Sequence, residues 1–249
     1  MMRTVILLST YCPNATYLSE QLDSIGRQTV SCALVRRDDS ETRLGAMKSF
    51  ETLLRETDGY DYYAFADQDD VWKPQKMERL IGAMEEAERS YGKQTPLVVH
   101  CDLEVVDSGL KRIAASFWQY SGLNPDMLDH HLPYMAISNC VTGCAMLLNA
   151  AARKVSLPFG NQAYMHDQWI AVSTLRAGGQ VIPVREALVL YRQHGKNTLG
   201  AVEYKGMSLQ GWREKRKLFW QAYLAGKGIC WNTLPAFVYW KIRHILARL

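Results

Sequence analysis

The run Tyr62-Tyr63-Ala64-Phe65-Ala66-Asp67-Gln68-Asp69-Asp70-Val71-Trp72 constrains this chain more than any other stretch. An apolar and aromatic segment without helical period ends in three carboxylates within four positions. Such a segment predicts a buried strand, with the acids where it leaves the core. Carboxylates this close repel one another, and burying them unpaired is costly. A cation relieves that cost, and oxygen ligands suit Mg²⁺ or Mn²⁺. In open α/β sheets the carboxyl edge of the strands is where ligands bind.

The flanking sequence alternates strand and helix. An apolar strand over 4–9 precedes a helix over 17–28, with Leu18, Leu22 and Ile25 at helical spacing. The short apolar segment 32–35 ends in Arg36-Arg37-Asp38-Asp39, and 44–56 carries Met47, Phe50 and Leu54 on one helical face. After the acids, Pro74 opens a helix with Met77, Leu80, Ile81 and Met84 as its stripe. A strand over 97–101 follows. This alternation predicts an α/β fold, a largely parallel sheet with helices on both faces. The second half is less regular. It holds a loop or short helix over 125–131, a small-residue turn Thr142-Gly143-Cys144 and a helix over 167–177 closed by Gly178-Gly179. Strands are expected over 181–184 and 187–191.

At 249 residues the chain suits one large α/β domain or two small ones. With 48% hydrophobic and 22% charged residues it is not a generally disordered chain. No apolar run approaches the roughly 20 residues that span a bilayer. The apolar start is too short for a leader and runs into the loop Tyr11-Cys12-Pro13-Asn14, so it reads as a first strand. Six scattered cysteines include the pair Cys140 and Cys144, but no second Cys/His pair supports zinc. They read as reduced, mostly buried thiols, which predicts a cytoplasmic protein.

Four polar sites carry chemistry: Asp38-Asp39, the Asp67–Asp70 cluster, His166-Asp167, and Tyr191-Arg192-Gln193-His194-Gly195-Lys196-Asn197. In order, together with Ser9-Thr10-Tyr11, Tyr17-Leu18, Glu20-Gln21-Leu22, Ser24-Ile25, Gln28-Thr29 and Thr142-Gly143-Cys144, they resemble a family 2 glycosyltransferase of the GT-A fold. The branch they resemble includes bacterial rhamnosyltransferases of polysaccharide biosynthesis. The likeness covers roughly positions 4–201, with Asp67-Gln68-Asp69-Asp70-Val71-Trp72 as the metal-binding DxD segment. Two positions depart from the pattern: Ser40 stands where a glycine is expected, and Cys12-Pro13-Asn14 replaces an Asn-Gly loop.

The resemblance implies a metal-dependent, inverting transfer of a sugar from a nucleotide-diphosphate donor to a hydroxyl of a glycan or lipid-linked acceptor. It implies Mn²⁺ or Mg²⁺ held by Asp69, Asp67 and His194. Thr10, Tyr11, Asp39, Asp67, Gln68 and Arg192 are expected on the nucleotide sugar. Asp167 is expected as the general base, and Trp72, Gly143, Cys144 and His166 on the acceptor side. Its donor preference is dTDP-rhamnose, with a UDP-sugar as the alternative. The expected organisation is a catalytic domain over 1–206, with a nucleotide-sugar-binding half over 1–105 and an acceptor-side half over 106–206. A basic, aromatic-rich helical tail follows over 207–249.

Each residue also has a plainer reading. The Asp67–Asp70 cluster and Asp167 suit helix N-termini, Asp38-Asp39 a solvated turn, His194 a satisfied loop histidine, and Trp72 core packing. Two other functions remain open: a haloacid-dehalogenase-like phosphohydrolase, whose aspartate nucleophile also follows an apolar strand, and a non-catalytic nucleotide-sugar-binding module.

Charge is uneven. Residues 201–249 hold nine Lys/Arg against two Glu, so the body is net acidic although the whole chain is +4. Trp212, Phe219, Trp220, Trp231, Phe237, Tyr239 and Trp240 accompany the basic residues. This combination predicts contact with the cytoplasmic face of a membrane or, alternatively, packing on the catalytic domain or a second subunit of a homo-oligomer. An acidic body without a nucleic-acid motif predicts no nucleic-acid partner.

Overall fold

A computed structural model describes residues 2–194, 200–203 and 212–247. Its first half alternates as expected: β1 (Thr4–Thr10), α1 (Ala15–Gly26), β2 (Ala33–Asp38), α2 (Ala46–Glu56), β3 (Tyr62–Ala66), β4 (Val71–Trp72), α3 (Lys76–Tyr91) and β5 (Leu97–Val106). The second half holds β6 (Arg112–Ala114), three short helices α4 (Phe117–Tyr120), α5 (Pro125–Leu128) and α6 (Leu132–Ile137), and a 3-10 turn Gly143–Ala145. Then come β7 (Met146–Asn149), α7 (Ala150–Ser156), α8 (His166–Arg176), β8 (Gln180–Arg192), α9 (Trp212–Gly226) and α10 (Leu234–Leu246).

The sheet order is β2-β1-β3-β7-β5-β8-β4, with β6 beside β5. Successive strand side chains point to opposite faces, and both faces here are apolar. Val5, Leu7, Tyr63 and Phe65 join α2, α8 and the C-terminal helices in one core. Ile6, Leu8, Tyr62 and Ala64 join α1 and α3 in the other.

The sheet is less parallel than expected. β1 pairs parallel with β2 and β3, and β5 with β8. β7 lies antiparallel between β3 and β5. A four-residue apolar strand carries no mark of its direction, so only the arriving turn decides it. The two strands expected over 181–191 are one, β8. Its register along β5 shifts at Asp102, opposite the Arg185-Glu186 stretch. β8 pairs along the whole length of β5, so the 1–105 and 106–206 segments share one sheet.

The boundary expected at 206/207 lies outside the described residues, as do Gly195, Lys196, Asn197, Lys205, Arg248 and the side chains of Trp212, Arg213 and Lys215. The aromatic tail divides in two. Phe237 and Trp231 are buried, and Phe219, Tyr223 and Trp231 all stack around Phe237. Trp240 and His244 pack on Tyr134 of α6. Gly226 permits this approach, since a Cβ there would overlap the Trp231 ring. Phe219, Trp231, Phe237 and Trp240 of the aromatic tail pack on the core; among its described side chains Trp220 and Tyr239 are exposed.

Candidate active site

The carboxyl ends of β1 and β3, the loop after β2 and the start of α8 open into one cleft of about 1590 Å³. That exceeds the few hundred to roughly 1,000 Å³ typical of a single small-ligand site. Asp67, Gln68, Asp69 and Asp167 all line it.

The acidic loop is fastened from several directions. Gln21 donates to the Asp67 carbonyl (2.8 Å), and the Trp72 N–H donates to Ser24 (3.0 Å). Gln68 makes a reciprocal pair with the Tyr11 backbone, accepting from its N–H at 2.7 Å and donating to its carbonyl at 3.2 Å. Asp69 Oδ2 lies 2.6 Å from His194 Nε2. Arg192 donates to the carbonyls of Asp69 and Ser108, both at 2.8 Å, pairs with Glu20 and lies over the Tyr17 ring.

The acids themselves are electrostatically strained. Burial, then repulsion from Asp70 and Asp69, raises the Asp67 carboxyl well above its ordinary range. Burial and Asp69 push Asp70 up to about 7. Asp70 Oδ1 accepts the Arg192 N–H at 3.2 Å, whereas Oδ2 is buried without a partner. A buried lysine, Lys76, sits beneath. It donates to the Cys144 carbonyl (2.6 Å), lies 2.9 Å from the Trp72 ring centroid, and is pushed down to about 8 by burial. Clustered carboxylates with an orphaned buried oxygen and a neighbouring imidazole fit a hard divalent cation. Among the described residues the ligand atoms that lie within 4.8 Å of one another are those of Asp67, Asp70 and Cys144; of the expected ligands, Asp69 and His194 bond each other and Asp67 lines the same cleft.

Asp167 differs. It is buried at the start of α8, with Oδ2 accepting the Gly143 N–H (3.1 Å) and Oδ1 the Gln168 N–H (2.6 Å), and its charge adds to the repulsion that raises Asp67. Burial pushes it up to about 6 against those hydrogen bonds. Gln168 in turn donates to the carbonyls of Met135 and Ala136, which ties α8 to α6. Beside it, His166 is held down to about 3 by burial, stacked on Phe50 and Phe65. Gly143 is required there, because a Cβ would fall on the imidazole.

Several expected donor and acceptor contacts take other roles. Thr10 is buried and Trp72 and Cys144 lie in the core, so none lines the cleft. Arg192 is turned inward, and its guanidinium clamps the acidic loop rather than facing a phosphate. Asp39 reaches the cleft, but its carboxylate accepts from Thr42, Leu44 and Gly45, which hold the loop that follows β2. Burial raises the Asp39 carboxyl, those bonds outweigh it, and the net shift is downward. The two departures from the family pattern meet: Ser40 Oγ accepts from the Cys12 N–H (2.9 Å) and donates to Asp38 (2.6 Å).

The sequence reading missed Arg43, Leu218, Gln221 and Lys241, which also line the cleft. The last three come from the tail helices, and no local motif marks them. A second cluster, His100, Asp129 and Cys140, is fully buried. Asp129 accepts from Cys140 (3.0 Å) and bonds His100 (2.9 Å), so these groups satisfy one another inside the core.

No family model matches the chain, and no curated protein matches it. Solved structures do. S. aureus TarS 1-349 in complex with UDP-GlcNAc superposes with a TM-score of 0.56 at 13% identity, covering 88% of this chain and 66% of that one. The same segment in complex with UDP gives 0.53 at 12% identity, covering 90% and 65%. A longer TarS structure gives 0.53 at 14%, covering 76% and 36%. The chain therefore spans just under two thirds of the shorter TarS structures and about a third of the longer one. At such identity the likeness is one of fold, and the chain has a GT-A-like α/β fold.

Proposed function

We propose that this chain is an inverting, metal-dependent glycosyltransferase of cell-surface polysaccharide synthesis. It moves a sugar from a nucleotide diphosphate to a hydroxyl of a glycan or lipid-linked acceptor. One observation carries the reading: a single large cleft is lined by Asp67 and Asp69 of the acidic loop and by Asp167 at the start of α8. The fold, shared with TarS structures that contain UDP-GlcNAc and UDP, supports a nucleotide sugar as donor.

Asp67, Asp69 and His194 would hold Mn²⁺ or Mg²⁺, which when bound supplies positive charge for the departing diphosphate. Asp167 takes the proton of the acceptor hydroxyl as its oxygen bonds to the anomeric carbon and the bond to diphosphate breaks. A single displacement inverts that carbon. The Gly143 and Gln168 N–H groups keep the base oriented. Tyr11, half exposed on the donor wall, is the aromatic surface available to the nucleotide base. The family resemblance favours dTDP-rhamnose, and the structural neighbours favour a UDP-sugar. Among the described residues no helix is long and apolar enough to cross a membrane.

The phosphohydrolase reading gains no support, because its chemistry leaves Asp167 without a role. A thermal-shift screen of dTDP-rhamnose and UDP-sugars, with and without Mn²⁺, tests the proposal. A true donor at about 100 times its Kd stabilises by about 2.7 kcal/mol. No shift with any nucleotide sugar would sink the reading.

A further inference from the structure

We propose that the outer face of α10 docks on an anionic lipid bilayer, lying in its interface and holding the cleft at the membrane surface. This deepens the function proposed above and rests on its lipid-linked acceptor.

The face is defined by helical geometry. At 3.6 residues per turn, Leu234, Ile245, Val238, Ile242, Leu246 and Tyr239 fall on one arc of roughly 140°. All six are between 36% and 61% exposed. The opposite side of α10 holds Phe237 and His244, buried against the aromatic cluster and Tyr134. Both sides of this helix are therefore apolar, which a helix resting on its own domain does not need. Contiguous exposed apolar surface of this kind marks an interaction site.

Charge selects the occupant. The arc carries no charged residue and is bordered by Arg243, which lies over the Tyr239 and Trp240 rings. Arg216 and Lys217 on α9 and Lys227 in the following turn are exposed, within a segment of nine Lys/Arg against two Glu. A second copy of the chain would bring the same excess of positive charge to the contact. An anionic headgroup layer complements it.

Length selects the geometry. Thirteen residues give a helix of about 20 Å, short of the roughly 30 Å hydrocarbon layer, so α10 lies along the interface instead of crossing it. Tyr239 suits the headgroup level. The same two helices place Leu218, Gln221 and Lys241 in the cleft wall. A bilayer on α10 would therefore stand beside the opening through which a lipid-linked acceptor enters.

Flotation of the full chain with vesicles tests this. The protein should float with phosphatidylglycerol/phosphatidylcholine vesicles, less with pure phosphatidylcholine, and less at high salt. Ile242→Asp with Ile245→Asp should weaken binding by at least about tenfold, since each loses the burial of a large aliphatic side chain. Arg243→Glu, which leaves the apolar arc in place, should weaken binding only to the anionic vesicles. Equal flotation of wild type and the double aspartate variant overturns the proposal. So does a wild-type dimer in sedimentation equilibrium that the double variant converts to monomer, because the face would then be covered by a second copy. Nucleotide-sugar stabilisation, read on the same proteins without vesicles, is independent. Its absence alongside intact flotation would remove the transferase reading and leave the docking face.

Discussion

Two acidic sites face one cleft and solve burial in opposite ways. At Asp67, Asp69 and Asp70 the carboxylates crowd one another, and Asp70 keeps a buried oxygen with no partner. At Asp167 a single carboxylate is buried with an N–H donor on each oxygen. The first arrangement is short of positive charge. The second is short of nothing but water, and so is tuned toward accepting a proton near neutral pH. In the function proposed, the crowded acids favour a cation and the hydrogen-bonded Asp167 takes a proton.

That contrast can be broken from either side. Asp167→Asn should lower transfer about 10³-fold with donor binding unchanged, the size expected for loss of a general base; unchanged turnover would end its assignment. Asp69→Ala should erase the Mn²⁺-dependent part of nucleotide-induced stabilisation, while Asp167→Asn keeps it. Arg192→Ala strips the Asp69 and Ser108 carbonyls of their donor and frees the Asp69 loop, so urea melts should show a loss of about 2 kcal/mol.

The pH dependence sharpens the contrast further. The folded Asp167 value of about 6 lies above the ordinary 3.8, so folding favours its protonated form. Its contribution to stability is intact below about pH 4 and is lost as pH rises through 6. Relative to wild type, Asp167→Asn should therefore gain on the order of 2–3 kcal/mol between pH 4 and pH 8, on top of a constant cost for turning an amide NH2 onto one of the two N–H donors. Transfer should rise with pH through about 6, as the base loses its proton. The smallest effect belongs to Gln68→Ala, which removes the reciprocal pair with Tyr11 and should cost about 1 kcal/mol.

The acids, their strand and their order in the chain were legible because each is a local pattern. An apolar run, three carboxylates and a proline-led helix are written in adjacent residues. Arg192 was legible as a cation but not as a clamp. Its partners Glu20 and Asp69 lie 172 and 123 positions away. Trp72 and Cys144 read as acceptor-side groups through the family resemblance alone. In the fold both are buried, and Lys76 of α3 lies over the Trp72 ring and donates to the Cys144 carbonyl. The aromatic tail was visible, yet its composition alone does not separate core from surface; helix packing on Tyr134 does.

The role of Asp167 as a base came from the family resemblance; the sequence by itself determined the α/β class, the site of the acidic cluster at a strand end, and the place of Asp167 at a helix start. These follow from periodicity and local charge repulsion, which neighbouring residues set among themselves. Only the tertiary structure decided the direction of β7, the inward turn of Arg192 and Trp72, and which face of α10 is left bare. Those depend on contacts between residues far apart in the chain, whose geometry exists only once the sheet has closed around its two cores.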